Sequence, residues 1–302
     1  MKNLYPGYYP YTNEQIKDFI QKANIVFGAS VLLDLFRINH SILFLELIEK
    51  KIPKERLWLP YDTAWLYHNR LVSVIEEQIE DCNNASKHLN TFKESINNKY
   101  GHPYITQDLM IKFDEFISEA EEALESDRKF LLSCLLNNEI KNKISKLFHD
   151  RIGTEYDTTR MMQVFDESKK RNEDQIPPCM TFSSSTNPRI KHNRYVIWKQ
   201  IQHYAKSENK PILIVLNRIT PNWFFIYKDK VVTPHQALIN EFKQETGQNV
   251  YILSVHDFLT HLLTASEKEN LNYQQLLSQL HEKPTPGNSQ KIAPIISNNN
   301  AI

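Results

Sequence analysis

The chain has 302 residues, with 36 lysines and arginines against 36 aspartates and glutamates, a hydrophobic fraction of 41% and an aromatic fraction of 11%. That length and apolar content can bury a substantial core and exclude a globally disordered chain, while the balanced charge leaves only local patches to carry any nucleic-acid or membrane-surface binding. Six glycines in the whole chain leave no room for a glycine-rich phosphate loop, and neither a Walker A nor a dinucleotide fingerprint is present. Cys82, Cys134 and Cys179 are odd in number and far apart, without zinc-ligand or disulfide spacing, so a reducing cytoplasm is the expected location. The segment Met1 to Tyr11 has no apolar run of signal-peptide length, and nothing approaches the roughly 18 apolar residues of a membrane span.

In chain order, Thr12 and Asn13 offer a cap to a short helix over Glu14 to Lys22. Asn24-Ile25-Val26-Phe27 reads as a strand ending at Gly28, followed by a helix from Ser30 to Arg37 and another over about His40 to Lys51. Leu57-Trp58-Leu59, stopped by Pro60, reads as a second strand. Strand, helix, strand in this order predicts the opening crossover of a parallel sheet. From about Tyr61 to Asp150 the pattern becomes long and amphipathic: Leu71, Val74, Ile75 and Ile79 recur at helical spacing, as do Phe113, Phe116, Ile117, Ala120 and Leu124. Gly101-His102-Pro103 divides this stretch, which reads as an antiparallel helical arm inserted between two halves of a sheet domain. Its acidic run of Glu119, Glu121, Glu122 and Glu125 reads as a solvated helix face rather than a metal site.

After Pro177-Pro178 comes a polar loop with Ser183-Ser184-Ser185, then a helix from about Tyr195 to Glu208. Ile212 to Leu216 has the look of a buried central strand. Phe224–Tyr227 and Lys230–Val232 flank Lys228-Asp229 as a hairpin, and a helix from Pro234 to Thr246 stops at Gly247. Val250 to Leu253 supplies a last strand and Val255 to Leu263 a further helix. The expected division is residues 13–60 and 150–265 as two sheet halves of one domain (1–265), 61–150 as the arm, 266–281 as a C-terminal helix, and 282–302 as a disordered tail. No internal repeat is visible.

These segments, over about residues 13 to 265, resemble a PIN-like family of bacterial proteins whose two sequence halves flank a helical region. The resemblance is carried in the second half by Ile176-Pro177-Pro178-Cys179, Ile197-Trp198-Lys199-Gln200-Ile201, Ile214-Val215, Asn222-Trp223-Phe224, Pro234 and Glu241-Phe242. In the first half it is carried by Val26-Phe27, Val31-Leu32-Leu33, Leu35-Phe36-Arg37, Trp58-Leu59-Pro60 and Asn69-Arg70. It implies an α/β fold, a parallel-rich sheet flanked by helices with the long arm built in. For active members it implies metal-dependent nuclease chemistry, in which carboxylates at the C-terminal ends of parallel strands hold Mg²⁺ or Mn²⁺. It also implies a setting in bacterial conflict or defence systems.

The positions where such a nuclease keeps its acids are occupied by other residues. Gly28-Ala29-Ser30 stands where the pattern is aspartate, small residue, asparagine, and Trp65 and Leu66 stand where a glutamate is expected before Asn69-Arg70. Cys179 and Phe182 replace a glycine and an aspartate after the proline pair, and Arg194 replaces the aspartate four residues before Trp198. Asn217-Arg218 replaces an acidic pair after the buried strand, and Asn222 an aspartate before Trp223. Unit charges 4 Å apart interact by roughly 4 kcal/mol at an effective dielectric of 20, and a dication with an arginine by about twice that. Arg194 therefore replaces attraction by repulsion, and no Mg²⁺, Mn²⁺ or other cofactor is expected here. The expected binding residues are those of the vestigial site: Gly28, Ser30, Leu66, Phe182, Arg194, Asn217, Arg218 and Asn222. Arg189 and Lys191 are expected to converge there with Arg194 and Arg218 on an anion, although pairing with nearby acids explains such arginines equally well.

Other candidates have simpler explanations. Asp34 and Asp62 could rebuild a metal pair, but Asp34 lies a helical turn beyond Gly28, and capping accounts for Asp62 after Pro60. His149-Asp150-Arg151 point in different directions on a helix end. Cys179 has no histidine close in sequence to activate it, and Ser183 to Ser185 lack a glycine-flanked elbow. Trp58, Trp65, Trp198 and Trp223 fit core packing better than base stacking. Tyr5, Tyr8, Tyr9 and Tyr11 fit docking on the domain's own surface or on a partner. Three functions remain: a catalytically inactive pseudo-nuclease that binds RNA, DNA or a protein partner; a metal-dependent nuclease with a displaced acid set drawn from Asp34, Asp62 and the arm; and a structural subunit that oligomerises through the arm.

Overall fold

A computed structural model describes residues 1, 5–9, 11–96, 105–136, 138–228 and 230–280. At its centre lies a four-stranded parallel sheet, in the order β2 (Leu57–Trp58), β1 (Asn24–Phe27), β3 (Ile212–Leu216), β6 (Val250–Ser254). Every residue of β1 and β3 is buried, as strands with helices on both faces require. Side chains alternate across the sheet. Ile25, Phe27, Leu213 and Val215 enter one core layer, and Val26, Ile212, Ile214 and Leu216 enter the other.

The first layer is closed by α1 (Asn13–Lys22), α2 (Ala29–Asp34), α3 (Ser41–Lys51), α6 (Glu139–Leu147) and α10 (Val255–Leu262). α1 starts in a capping box between Thr12 and Gln15. The second layer is closed by α8 (Pro188–Glu208) and α9 (Gln236–Thr246), with α7 (Thr158–Glu173) packed on α8. A separate antiparallel hairpin, β4 (Phe224–Tyr227) and β5 (Lys230–Pro234), has a register irregularity between Phe225 and Ile226. Two short helices, α11 (Ala265–Lys268) and α12 (Leu271–Gln279), follow α10.

The inserted region consists of α4 (Tyr61–Ile96) and α5 (Gln107–Leu136), packed along each other. At 1.5 Å per residue α4 is about 54 Å long. Its first part belongs to the core: Thr63, Ala64, Tyr67, Leu71, Val74 and Ile75 are buried, and α4 packs there on α2 and α8. α6, read from sequence as the end of the arm, buries Ile140, Ile144 and Leu147 and ties itself to α3 through Lys143–Glu46 (3.1 Å) and Lys146–Glu49 (2.9 Å). The chain rejoins the sheet at once: Leu59 forms a parallel bridge with Ile152, its N donating to Arg151 O and its O accepting from Gly153 N, both at 2.9 Å.

The α/β class and the parallel, helix-flanked sheet are those expected from sequence. Two helices differ. α8 starts at Pro188, seven residues before the expected Tyr195, because Asn187 Oδ1 accepts from Arg189 N at 2.9 Å and proline occupies the first turn. α7, capped by Asp157, was not anticipated. The break at Gly101-His102-Pro103, the turn residue Asp229 and the expected disordered tail over 282–302 lie outside the described residues.

Candidate functional site

The C-terminal ends of β1 and β3 open into a cavity of about 470 Å³, the edge where open parallel sheets place their ligands. At the end of β1, Gly28 N donates to Val215 O at 2.9 Å, holding the chain against β3. A Cβ at position 28 would lie 2.7 Å from Leu216 Cδ2, so this wall is backbone. α2 adds Ser30, Leu33 and Asp34, and the turn after it adds Arg37. α4 contributes Leu66, Arg70 and Val74, spaced i, i+4, i+8 on one face, and α8 contributes Ile190, Asn193, Arg194 and Ile197 by the same logic. Leu216, Arg218, Thr220 and Trp223 complete the β3 side, with Ser183 and Ser184 from the preceding loop.

Of the eight residues expected from sequence, Gly28, Ser30, Leu66, Arg194 and Arg218 line this cavity, and three do not. Asn217 is not among the lining residues and donates its Nδ2 to Asp34 Oδ2. Asn222 is buried and closed on Thr181, accepting from its N at 3.2 Å and donating to its Oγ1 at 2.8 Å. Phe182 packs edge-on against His192 (ring centroids 4.8 Å apart), with Lys191 Nζ 5.4 Å from its ring centre. The expected convergence of Arg189 and Lys191 does not occur. Arg189 gives its Nε to Asp62 Oδ1 at 2.6 Å and its Nη1 to Glu155 Oε1 at 2.8 Å, and lies over the Trp65 ring. Arg37 and Arg70 line the cavity instead. Arg70 was visible in sequence as part of Asn69-Arg70, one helical turn beyond Leu66, and Arg37 one turn beyond Asp34.

Four arginines and a single carboxylate therefore face this space. The carboxylate is spoken for: Asp34 Oδ1 accepts from Arg37 Nη1 at 2.5 Å, and Oδ2 accepts from Asn217. Arg37 Nη2 also reaches Glu77 Oε2 at 2.5 Å. Burial lowers the Arg37 pKa, but Glu77 and Asp34 more than offset this and raise it overall. Arg194 donates to Thr181 O, and burial lowers its pKa. No ion pair involves Arg70, Arg194 or Arg218 among the described residues. Thr220 Oγ1 and Asn217 Oδ1 are buried without a hydrogen-bond partner.

A divalent cation of the Mg²⁺ type needs about six oxygen ligands, several of them carboxylate or water. This donor set does not fit one, since a lone, doubly engaged carboxylate stands among four cations. Asp62, the other candidate acid, is fully buried; its Oδ2 accepts from Gln200 Nε2 at 2.8 Å, and it does not reach the cavity. Among the described residues no group of three or more His, Cys, Asp or Glu side chains stands close enough to hold a metal.

Several remaining candidates make contacts within the fold. Cys179 is brought to a histidine after all, through Ser168: Sγ to Oγ is 3.4 Å and Ser168 Oγ to His192 Nδ1 is 3.0 Å. Cys179 and Ser168 are buried, burial raises the thiol pKa and lowers that of His192, and the trio links α7, α8 and the loop after the proline pair. Trp198 and Trp223 pack edge to face in the core, and Trp58 stacks on Tyr204 at 3.9 Å. His149 and Asp150 form an exposed pair. The tyrosine-rich start docks on α9, with Gly7 N donating to Asn240 Oδ1 at 3.0 Å. No helix among the described residues is long and apolar enough to cross a membrane.

A family model described as PIN like domain matches residues 24–238. That span runs from the first residue of β1 through β3 and the hairpin into α9, and so contains every wall of the cavity. No curated protein and no solved structure gives a significant match.

Proposed function

The chain belongs to the PIN-like domain family, and from that membership and the make-up of its cavity we propose that it is a catalytically silent relative that binds nucleic acid without cutting it. The family points to a nuclease-related or nucleic-acid-binding role. The observation that carries the proposal is the charge of the cavity at the C-terminal sheet edge: Arg37, Arg70, Arg194 and Arg218 around one engaged carboxylate, Asp34. Phosphodiester hydrolysis through metal ions needs the opposite sign at that place, to hold the ions that activate water and neutralise the attacked phosphate. A guanidinium cluster suits a phosphate directly, by paired charge-assisted hydrogen bonds. RNA or DNA is therefore the ligand class, without a bound metal. A setting in bacterial defence rests on the family resemblance alone.

The test has two parts. Purified protein is incubated with single- and double-stranded RNA and DNA in Mg²⁺ or Mn²⁺; metal-dependent cleavage that disappears in Asp34→Ala would overturn the silent site. Labelled strands are then titrated at low and rising salt. Retention that weakens with salt and with Arg218→Ala is the expected result, and no retention at low salt rejects nucleic acid as ligand.

One observation favours a protein partner as a second reading. Leu109, Phe116 and Phe130 are exposed on α5 at intervals of seven and fourteen residues, which places them along one line of the helix. A partner helix or a second copy of the arm would cover that line. Light scattering of wild type and Phe116→Lys checks it: a monomer in both cases removes self-association from consideration.

A further inference from the structure

The cavity is divided by chemistry. Arg37 is neutralised by Asp34 and Glu77, which leaves Arg70, Arg194 and Arg218 as cations without a carboxylate among the described residues. Between these cations the walls are apolar: Leu33, Leu66, Ile190, Ile197, Leu216 and Trp223. A phosphate backbone running over a surface calls for cations alone and makes no use of such a recess. The volume, about 470 Å³, lies toward the lower end of small-ligand pockets, roughly 300–1,000 Å³. It cannot admit a duplex or a folded stretch of strand, and it suits one nucleotide.

On this geometry we propose that the cavity takes a single nucleoside monophosphate unit, with the phosphate on Arg70, Arg194 and Arg218 and the base in the apolar recess. The unit is the phosphorylated terminal nucleotide of a single strand or a free mononucleotide, which present the same chemistry. In its strand form the proposal rests on the nucleic-acid reading above. Thr220 supplies an independent mark. It lines the same wall, and its Oγ1 is buried with no partner, a hydroxyl that a turn of its side chain toward the cavity would bring to a phosphate oxygen, relieving an unmet polar group. Arginine stays charged throughout the accessible pH range, so Arg194, with one Nη held by Thr181 O, stands as a cation on the cavity wall.

The experiment uses the full chain and fluorescence polarisation with a short internally labelled single strand, as RNA and as DNA. Each strand is prepared with a terminal phosphate, with both ends hydroxyl, and circularised. Unlabelled AMP, CMP, ribose 5-phosphate and inorganic phosphate serve as competitors. The phosphorylated end should bind at least about tenfold more tightly than the circle, as one charge-assisted contact set implies. AMP and CMP should compete well ahead of ribose 5-phosphate and inorganic phosphate, and Arg218→Ala and Arg70→Ala should weaken every arm. Equal binding of circle and phosphorylated strand overturns this proposal and leaves the nucleic-acid reading standing. Competition by ribose 5-phosphate equal to that of AMP overturns the base recess. Binding of AMP with no strand bound keeps the nucleotide pocket and rejects the strand reading; no binding in any arm rejects both.

Discussion

Replacing Asp62 by alanine separates a structural acid from a catalytic one. Asp62 is 0% exposed; its Oδ1 takes Arg189 Nε at 2.6 Å, its Oδ2 takes Gln200 Nε2 at 2.8 Å, and its own N donates to Gln200 Oε1 at 3.1 Å. Removing one member of a buried ion pair costs about 3–5 kcal/mol, because the other charge is left uncompensated. Arg189 has a side chain 21% exposed and keeps Glu155 at 2.8 Å, which places this loss near the lower end, about 3 kcal/mol. Gln200, 5% exposed, loses the acceptor of its Nε2, worth about 1 kcal/mol more. A total of about 4 kcal/mol is a large share of a typical stability of about 5–15 kcal/mol, and lowers Tm by about 8 °C for a chain of this size. Urea unfolding followed by circular dichroism measures it, with Glu155→Ala as the exposed control, expected at about 1 kcal/mol or less. Asp62→Asn should fall between the two, since it keeps hydrogen-bonding capacity and loses the charge. A cost for Asp62→Ala below about 1 kcal/mol would refute the reasoning, and Asp62 would again be an acid free to serve a metal.

Three further outcomes are expected. Millimolar Mg²⁺ or Mn²⁺ should leave the wild-type Tm unchanged, whereas an ion at a hundred times its Kd would add about 2.7 kcal/mol; a concentration-dependent rise in Tm would show that a site exists. Arg70→Ala and Arg218→Ala should each flatten the salt dependence of single-strand binding by no more than about 0.7 in the log–log slope, the value for one whole phosphate contact, since the other arginines stay on the same phosphate; a constant slope at lower affinity would mean the arginines act otherwise. Glu267 accepts from Lys51 Nζ at 2.6 Å and from Thr264 N at 2.9 Å, which lowers its pKa to about 2. Its contribution is complete above the ordinary glutamate value, about 4.3, and is lost as pH falls from there through about 2. The difference in unfolding free energy between wild type and Glu267→Gln should therefore shrink over that interval, and a difference constant from neutral pH down to about 2 would contradict the assignment.

The sheet was legible because its signals are local. Asn24 to Phe27 and Ile212 to Leu216 are apolar at every or nearly every position, which only a strand covered on both faces tolerates. The start of α8 was misread for a local reason too: Asn187-Pro188 is a cap followed by a first-turn proline, and a serine-rich neighbourhood disguised it as loop. The extent of the arm was harder to see, because the amphipathic period runs unbroken from the buried Leu71, Val74 and Ile75 to the exposed end of α4, and periodicity does not report what covers a face. Charge partners were least legible. Arg189 and Arg194 are five residues apart on one helix, yet the first lies with Asp62 and Trp65 and the second faces the cavity.

That divergence bears on how the proposed silent site would work. A cation remains at the start of α8 in both directions, but a covalently tethered one. Arg189 sits between Asp62 and Glu155, a position in which two carboxylates would otherwise repel each other or recruit a counter-ion. Arg37 does the same for Asp34 and Glu77. Asp34 and Asp62 thus each have a guanidinium from the chain itself, and both oxygens of each accept a directed hydrogen bond. Placing a carboxylate at the end of β1, for instance by Gly28→Asp, would meet Leu216 at the new Cβ and would leave Arg194 and Arg218 among its neighbours on the cavity wall. On the proposed reading, a silent site of this kind differs from a metal site not by one missing ligand but by the sign of its local field, and a positive field is what a phosphate group needs.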